Sequence, residues 1–446
     1  MKYTASEIIS VGTELLLGDI INTDAAYLAR ELAALGIPCY HQSVVGDNPA
    51  RLRATLELAL SRSDLIFLTG GLGPTADDLT KETAASVMGK TLVLHEPSYE
   101  RIRDLLIKRG YPETENQKKQ AMLPPDATVF QNDYGTAPGF AMTAQTDNGE
   151  KTMILLPGPP RELEPLYAER VKPYLARMTD TVFYSLNIGL YGIGEAAVGH
   201  ILRDYMDNGQ NPTVAPYCGE GEVRLRLTAK GKNEAECRAL CEAVAEQIRW
   251  ESCEPYKPGC MNDYIWGIDC DSMQEALVKL LCAKQMTVSA AESCTGGYVA
   301  KRITDIPGAS AVLSGSFVTY SEQTKQSMVG VKAETLAAHS VYSAEIAEEM
   351  AQGCRLAVGA DIGIGITGVA GTEDAHVTQD GREITVAAGT VFIACTNGTA
   401  VRTEQLDLSP GRRSGLEARE YVRRRASSHA LYMALRMAEA SAKSKA

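Results

Sequence analysis

Ser293 stands in AAESCTGGYVAKRI, residues 290–303, where a strand of small residues, QMTVSAAES, runs into a glycine-bearing turn and the start of a helix. A hydroxyl at such a turn meets exposed N–H groups and the positive end of a helix, which suits phosphate binding or a nucleophile with an oxyanion site. The plainer reading, that Ser293 only caps the helix, rests on Ser and Thr being common caps. A second stretch, GSFVTYSEQTKQ (Gly315 to Gln326), reads as a strand ending at Tyr320 and a helix start carrying Lys325. A hydroxyl nucleophile needs a group to take its proton, and the six histidines stand in no recognisable catalytic setting. Lysine serves when desolvation or nearby positive charge brings its pKa toward neutrality, and tyrosine can relay a proton or hold the nucleophile. Ser293, Lys325 and Tyr320 together are chemically sufficient for hydrolysing a carboxamide. Taken singly, Tyr320 also reads as a core aromatic and Lys325 as a surface lysine. A third stretch, DIGIGITGVAGTEDA, runs from a buried strand into Thr367 and Gly368, a glycine turn suited to wrapping a ribose or phosphate.

Glycines also gather near the front of the chain. GTELLLGD (Gly12 to Asp19) follows a first strand and GGLGPTADDLTKE (Gly70 to Glu82) follows a third. Both fall at carboxyl ends of strands, where open α/β sheets bind ligands. Gly70, Gly71 and Gly73 let the backbone bring N–H groups against a phosphate, and Thr75 reads as the cap of the next helix. Asp77 and Asp78 suit an anion site if a divalent cation lies between carboxylate and phosphate. Equally, they read as ordinary acids at the start of a helix. LLPGPPRELEP (Leu155 to Pro165) is a plain turn or a third wall of the same pocket.

The elements that position these residues follow from periodicity. Ile8–Val11, CYHQSVVG and DLIFLTGG read as strands, separated by TDAAYLARELAALG, capped by Thr23 or Asp24, and NPARLRATLELALS as helices. Such alternation implies a doubly wound parallel sheet over residues 1–170. Residues 171–258 read strand, helix, strand, helix, a small α+β unit with nothing catalytic in it. ESCEPYKPGCMND reads as a linker. Residues 259–446 form a second α/β unit, closing on a long helix through Ala440.

Composition sets bounds. A net charge of −12 at pH 7 argues against a general grip on nucleic-acid backbone, and Arg423-Arg424-Arg425 is too short a cluster to reverse it. The 11 cysteines lack any C-x-x-C pair, so Cys237 and Cys241 read as buried thiols in a reducing compartment. With no membrane-length apolar run and no signal-peptide core at MKYTASEIIS, a cytoplasmic location is expected.

GTELLLGDIINTDAAYLARELAALGI, VVGDN, GGLGPTADDLTKE, NDYGTAPGF and LLPGPPREL together resemble the molybdopterin-binding-like domain at the front of CinA proteins, across most of residues 5–170. The resemblance implies a metal-dependent ADP-ribose pyrophosphatase that forms AMP and ribose phosphate. Asp78 matches the acidic position of the glycine loop, with Asp77 beside it and Glu14 and Asp24 as further candidate ligands of the divalent metal. Asp24 stands where relatives usually carry asparagine. The middle unit resembles the KH-like insert of the family but lacks the basic G-x-x-G loop that clamps RNA, so a spacer or dimer contact is expected.

AESCTGG, the TYS-x-x-x-K pattern and GITGVAG resemble the C-terminal nicotinamide-nucleotide amidase domain of the same family over residues 272–440. That resemblance implies that Ser293 attacks the carboxamide of nicotinamide mononucleotide, Lys325 is the general base and Tyr320 assists. Thr295, Gly296 and Gly297 would bind phosphate or shape the oxyanion site, no cofactor is needed, and nicotinic acid mononucleotide and ammonia leave. A homodimer serving pyridine-nucleotide salvage is the expectation. Two stretches depart from the family pattern. GTEDAHVTQDGREITVAAGTV is longer and more polar than the usual glycine-rich segment, and GRRSGLEAREYVRRRA is stretched, with Arg413 and Arg423 as the best matches for phosphate-gripping arginines. The rival reading is a nucleotide- or pterin-binding accessory protein linked to competence or DNA damage, without turnover.

Overall fold

Unbroken apolar runs alternating with amphipathic helices belong in a sheet covered on both faces. The computed structural model describes residues 3–112, 115–178, 182–219, 221–409 and 411–441. It divides into two compact units, Met1–Ser185 with Thr228–Cys241, and Leu186–Leu227 with Glu242–Ala446.

In the first unit, β1 (Ser6–Val11) and β3 (Leu65–Thr69) are buried along their whole length and β2 (Cys39–Val45) lies at an edge. With β4 (Thr128–Phe130), β5 (Gly139–Thr146) and β6 (Gly149–Leu156) they form a sheet ordered β2-β1-β3-β6-β5-β4. The pairs β1/β2, β1/β3 and β3/β6 are parallel. The expected all-parallel sheet is corrected at its far edge, where β5 runs antiparallel to both neighbours. Only Asp147 and Asn148 separate β5 from β6, too few residues for the crossover that a parallel pair requires. Helix α1 (Thr23–Ala34) buries Ala25, Leu28 and Leu32, and α2 (Pro49–Arg62) buries Leu52, Leu56 and Leu60. The cap of α1 is Asn22, whose Oδ1 accepts from Ala25 N–H at 3.2 Å, rather than Thr23 or Asp24. GTELLLGD contains a short helix, Thr13–Leu17. Cys237 and Cys241 are fully buried thiols.

In the second unit, the parts of β7 (Val182–Tyr191) and β9 (Glu222–Gly231) that belong to it join β8 (Thr213–Cys218) and β10 (Ile265–Ile268) in a sheet ordered β8-β9-β7-β10. The expected single helix after β7 is broken into Glu195–Ile201 and Arg203–Asp207. Tyr191 and Trp266 of this sheet belong to the same apolar core as the helices that follow.

That core is built on β11 (Val288–Glu292), β12 (Leu313–Val318), β13 (Ile362–Gly368), β16 (Thr390–Thr396) and β17 (Val401–Asp407), ordered β12-β11-β13-β16-β17. Strands β12, β11 and β13 are parallel, and β16 and β17 complete the sheet antiparallel. Between β13 and β16 a separate hairpin forms from β14 (Ala375–Gln379) and β15 (Arg382–Val386). One face carries α3 (Met273–Lys284) and α7 (Gly415–Ala440), which place Leu277, Leu281, Leu431 and Ala434 against Ile364 and Ile366. Helix α6 (Ala344–Ala357) approaches so closely that a Cβ at Gly363 would lie 2.0 Å from the Ala351 carbonyl oxygen, so IGIGI needs its glycines for packing. No helix among the described residues is long and apolar enough to cross a membrane.

Candidate active sites

Strand β11 delivers Ser293 to the carboxyl end of the second unit's sheet, where the serine N–H donates to the Ile366 carbonyl of β13 at 2.9 Å. Gly296 and Gly297 then take left-handed conformations, φ 60° and 90°, to turn the chain into α4 (Tyr298–Thr304). Helix α5 (Glu322–Val329), capped by Ser321, carries Lys325 in its first turn and buries it completely. Lys325 Nζ donates to Ser293 Oγ at 3.0 Å and to the Thr319 carbonyl at 2.8 Å. Burial disfavours the ammonium and lowers the amine to about 8, opposed in part by the acidic groups of Cys294 and Glu322. A serine hydroxyl against a desolvated amine is the arrangement that a Ser–Lys nucleophile requires.

The pair opens on a cavity of about 450 Å³ lined also by Tyr320, Tyr342, Gly368, Val377 and Arg419. Tyr320 is 63% exposed at the rim, and its hydroxyl accepts from Arg419 Nη2 at 3.3 Å. Among the described residues that hydroxyl bonds neither Ser293 nor Lys325. The start of α4 is already occupied: the buried Glu292 carboxylate accepts Val299 N–H and Ala300 N–H, each at 3.0 Å. That closes the helix end to a substrate phosphate, the role expected for it on charge grounds.

The first unit holds a cavity of about 540 Å³ at the carboxyl ends of β1, β3 and β6. Gly12, Gly70, Gly71, Gly73 and Gly158 line it, as do Glu14, Asp24, Asp77 and Asp78. Leu155–Pro165 is a wall of this cavity, through Pro157, Gly158, Pro159 and Pro160. Thr75 donates its N–H to Asp78 Oδ2 at 2.9 Å and its hydroxyl to the same oxygen, which folds the loop on itself. Thr75 is therefore not a helix cap; the next helix starts at Thr80 without a side-chain cap. Asp24 is 8% exposed, burial and then Glu164 raise its carboxyl to about 7, and its Oδ1 has no hydrogen-bond partner.

A divalent cation is tested by this donor set. No three acidic, histidine or cysteine groups among the described residues converge into a cluster that could hold a metal. The residues do not fit a closed protein cage. They do fit a cation held by one or two carboxylates and otherwise by water and substrate phosphate, with Asp77 and the second Asp78 oxygen on the cavity lining as donors.

Three family descriptions match the chain: the probable molybdopterin binding domain over residues 7–177, the damage-inducible protein CinA KH domain over 185–251, and the CinA C-terminal domain over 270–438. A CinA-like protein of Dictyoglomus turgidum is 44% identical over 82% of this chain and 86% of its own length. A putative competence-damage inducible protein of Clostridium acetobutylicum is 42% identical over 93% of this chain and 95% of its own. This chain belongs to the CinA family. Among solved structures, the protein CinA of Thermoplasma acidophilum, of unknown function, is 33% identical over 39% of this chain and 99% of its own, with a TM-score of 0.35.

Within this CinA chain the structure brings Ser293, Lys325, Tyr320 and Gly368 to one cavity and leaves other expected residues outside it. Thr295 is fully buried, and its carbonyl accepts from Arg423 Nε and Nη2 at 3.0 and 2.9 Å. Arg423 also lies over the Tyr298 ring, 5.4 Å from its centroid, so it braces the loop that carries Ser293 rather than lining the cavity. Arg413 stacks on Tyr421 at 4.2 Å, and Thr367 donates to the Val341 carbonyl at 2.7 Å. Gly296 and Gly297 serve the turn. The cavity arginine is Arg419, one helical turn before Arg423, which the sequence concealed among six arginines in residues 411–426. In the first unit, Asp47 and Glu162 line the cavity without having been singled out. Asp47 binds Thr13 N–H and hydroxyl at 2.9 and 2.8 Å. VVGDN contained that signal, since an acid directly after a strand end faces the ligand side of the sheet.

Proposed function

We propose that the second unit hydrolyses nicotinamide mononucleotide to nicotinic acid mononucleotide and ammonia. One observation carries this reading: the buried Lys325 Nζ, 3.0 Å from Ser293 Oγ, with its amine lowered to about 8. Neutral Lys325 takes the hydroxyl proton as Ser293 Oγ bonds to the carboxamide carbon. The new ammonium protonates the departing nitrogen, the C–N bond breaks, ammonia leaves and Ser293 remains as an ester. Water then adds to the ester as Lys325 accepts its proton, and the C–Oγ bond breaks as the ammonium returns that proton to Oγ, restoring serine and neutral lysine and releasing the acid. The serine, the lysine and water suffice for this sequence without a cofactor. Arg419 suits the phosphate end of the substrate, whereas Glu322 on the same cavity disfavours an anion beside it. Turnover in water enriched in heavy oxygen tests the scheme: nicotinic acid mononucleotide should form with solvent oxygen in its carboxylate. Cleavage at the glycosidic bond or the phosphate would refute it.

For the first unit we infer hydrolysis of a nucleoside diphosphate sugar, ADP-ribose, to AMP and ribose phosphate. The glycines Gly70, Gly71 and Gly73 and the acids Glu14, Asp24, Asp77 and Asp78 around one cavity support it. A divalent cation there would offset phosphate charge and polarise the phosphorus under attack. The glycine loop positions the diphosphate. Metal-dependent AMP release is the expected result. Saturable ADP-ribose binding with no AMP formed would replace this with a binding role, the accessory reading. In this proposal the protein is a cytoplasmic homodimer serving pyridine-nucleotide salvage, a state that light scattering of the purified protein measures directly.

A further inference from the structure

The segment after Gly371, where this chain departs from the family pattern, is the β14–β15 hairpin. Asp380 and Gly381 form its turn, with φ 48° and 71°, the paired left-handed conformation that tight hairpins favour. The ladder pairs Ala375 with Val386 and Val377 with Ile384, so these four apolar residues share one face. All four are half-buried, whereas His376, Thr378, Glu383 and Thr385 on the other face are exposed. The hairpin is pinned at both ends. At its base, Ala388 N–H donates to the Asp374 carboxylate at 2.9 Å. At its tip, Asp380 N–H donates to the Ala337 carbonyl at 2.9 Å, on the helix Ala333–His339. Val377 of this fixed hairpin lines the Ser293–Lys325 cavity.

We propose that the hairpin is the wall that selects the ring end of the amidase substrate, with Val377 as a specificity-determining residue; this rests on the amidase reading above. The cavity offers a substrate two kinds of surface. Arg419 supplies positive charge, while Val341, Val369, Ala370 and Val377 supply apolar area. A pyridine ring bearing a carboxamide is planar and largely apolar, so it belongs against the second kind and its phosphate against the first. Because both ends of the hairpin are bonded, Val377 sets a fixed limit on ring size instead of yielding to the ligand.

The test compares nicotinamide mononucleotide with nicotinamide riboside, which keeps ring and sugar and lacks the phosphate. Val377→Phe narrows the ring end and is expected to raise KM about tenfold or more for both substrates, with kcat within about twofold. Val377→Ala, which removes bulk without crowding, is expected to relax discrimination against ring-substituted carboxamides. Arg419→Ala, by contrast, should raise KM for the mononucleotide alone. Unchanged KM in both Val377 variants, with wild type active, overturns the hairpin's role and leaves the amidase intact. A KM effect of Val377→Phe confined to the mononucleotide also overturns it, since the wall would then sense phosphate. A folded wild type that releases no ammonia from either substrate removes the amidase reading, and this proposal with it.

Discussion

In the proposed amidase, Lys325 concentrates the chemistry of the second unit into one ionisation. Its folded-state amine is lowered to about 8, so protonation holds it as an ammonium at pH 6 and frees it as a base above pH 8. Deamidation is therefore predicted to rise with pH through a midpoint near 8, read as kcat/KM across a buffer series. A flat profile between pH 6 and 9 would deny the lysine its role. Lys325→Arg keeps a cation that does not deprotonate near neutrality, so it should lose activity by roughly 10³-fold or more at every pH. In the same proposal Arg419 acts on binding instead. Its loss should raise KM for the mononucleotide by about tenfold or more, the scale of one charge-assisted hydrogen bond, with little change in kcat. Ser293 and Lys325 were legible in the sequence because each stands where a strand ends and a helix begins. Arg419 was not, since four of the six arginines in residues 411–426 lie on one helix and differ only in which face they occupy, and packing decides the face.

Among the elements, α4 shows how a strand end can close a helix start. Glu292 gives both carboxylate oxygens to the first N–H groups of α4, and in doing so fixes the loop that carries Ser293. Glu292→Gln replaces one acceptor by a donor that faces another donor. The expected cost is about 1–3 kcal/mol of stability, measured by denaturant unfolding. A fall in kcat without a rise in KM should accompany it, because the phosphate does not use that helix end. A rise in KM with kcat unchanged would instead place the phosphate there. The strands and long helices of both sheets were readable from apolar periodicity. The antiparallel far edge of the first sheet was not, because its direction depends on a two-residue turn rather than on the pattern within either strand. The β14–β15 hairpin was equally hidden: its alternation is short and polar, and only the Asp380–Gly381 turn chemistry marked it.

At the scale of the whole molecule, two units carry two cavities that share no lining residue. Substitution in one should leave the other's chemistry unchanged. Ser293→Ala is expected to retain wild-type AMP formation from ADP-ribose, and Asp78→Ala to retain wild-type ammonia release. Loss of both activities in either variant would contradict that independence. The KH-like sheet shares the second unit's core through Tyr191 and Trp266, a contact between distant segments that no local sequence pattern marks. The most direct test of the central claim is ammonia release from nicotinamide mononucleotide by wild type, Ser293→Ala and Lys325→Ala side by side. The account predicts release by wild type and its loss in both variants. Full activity in Ser293→Ala, or none in a folded wild type, would contradict it.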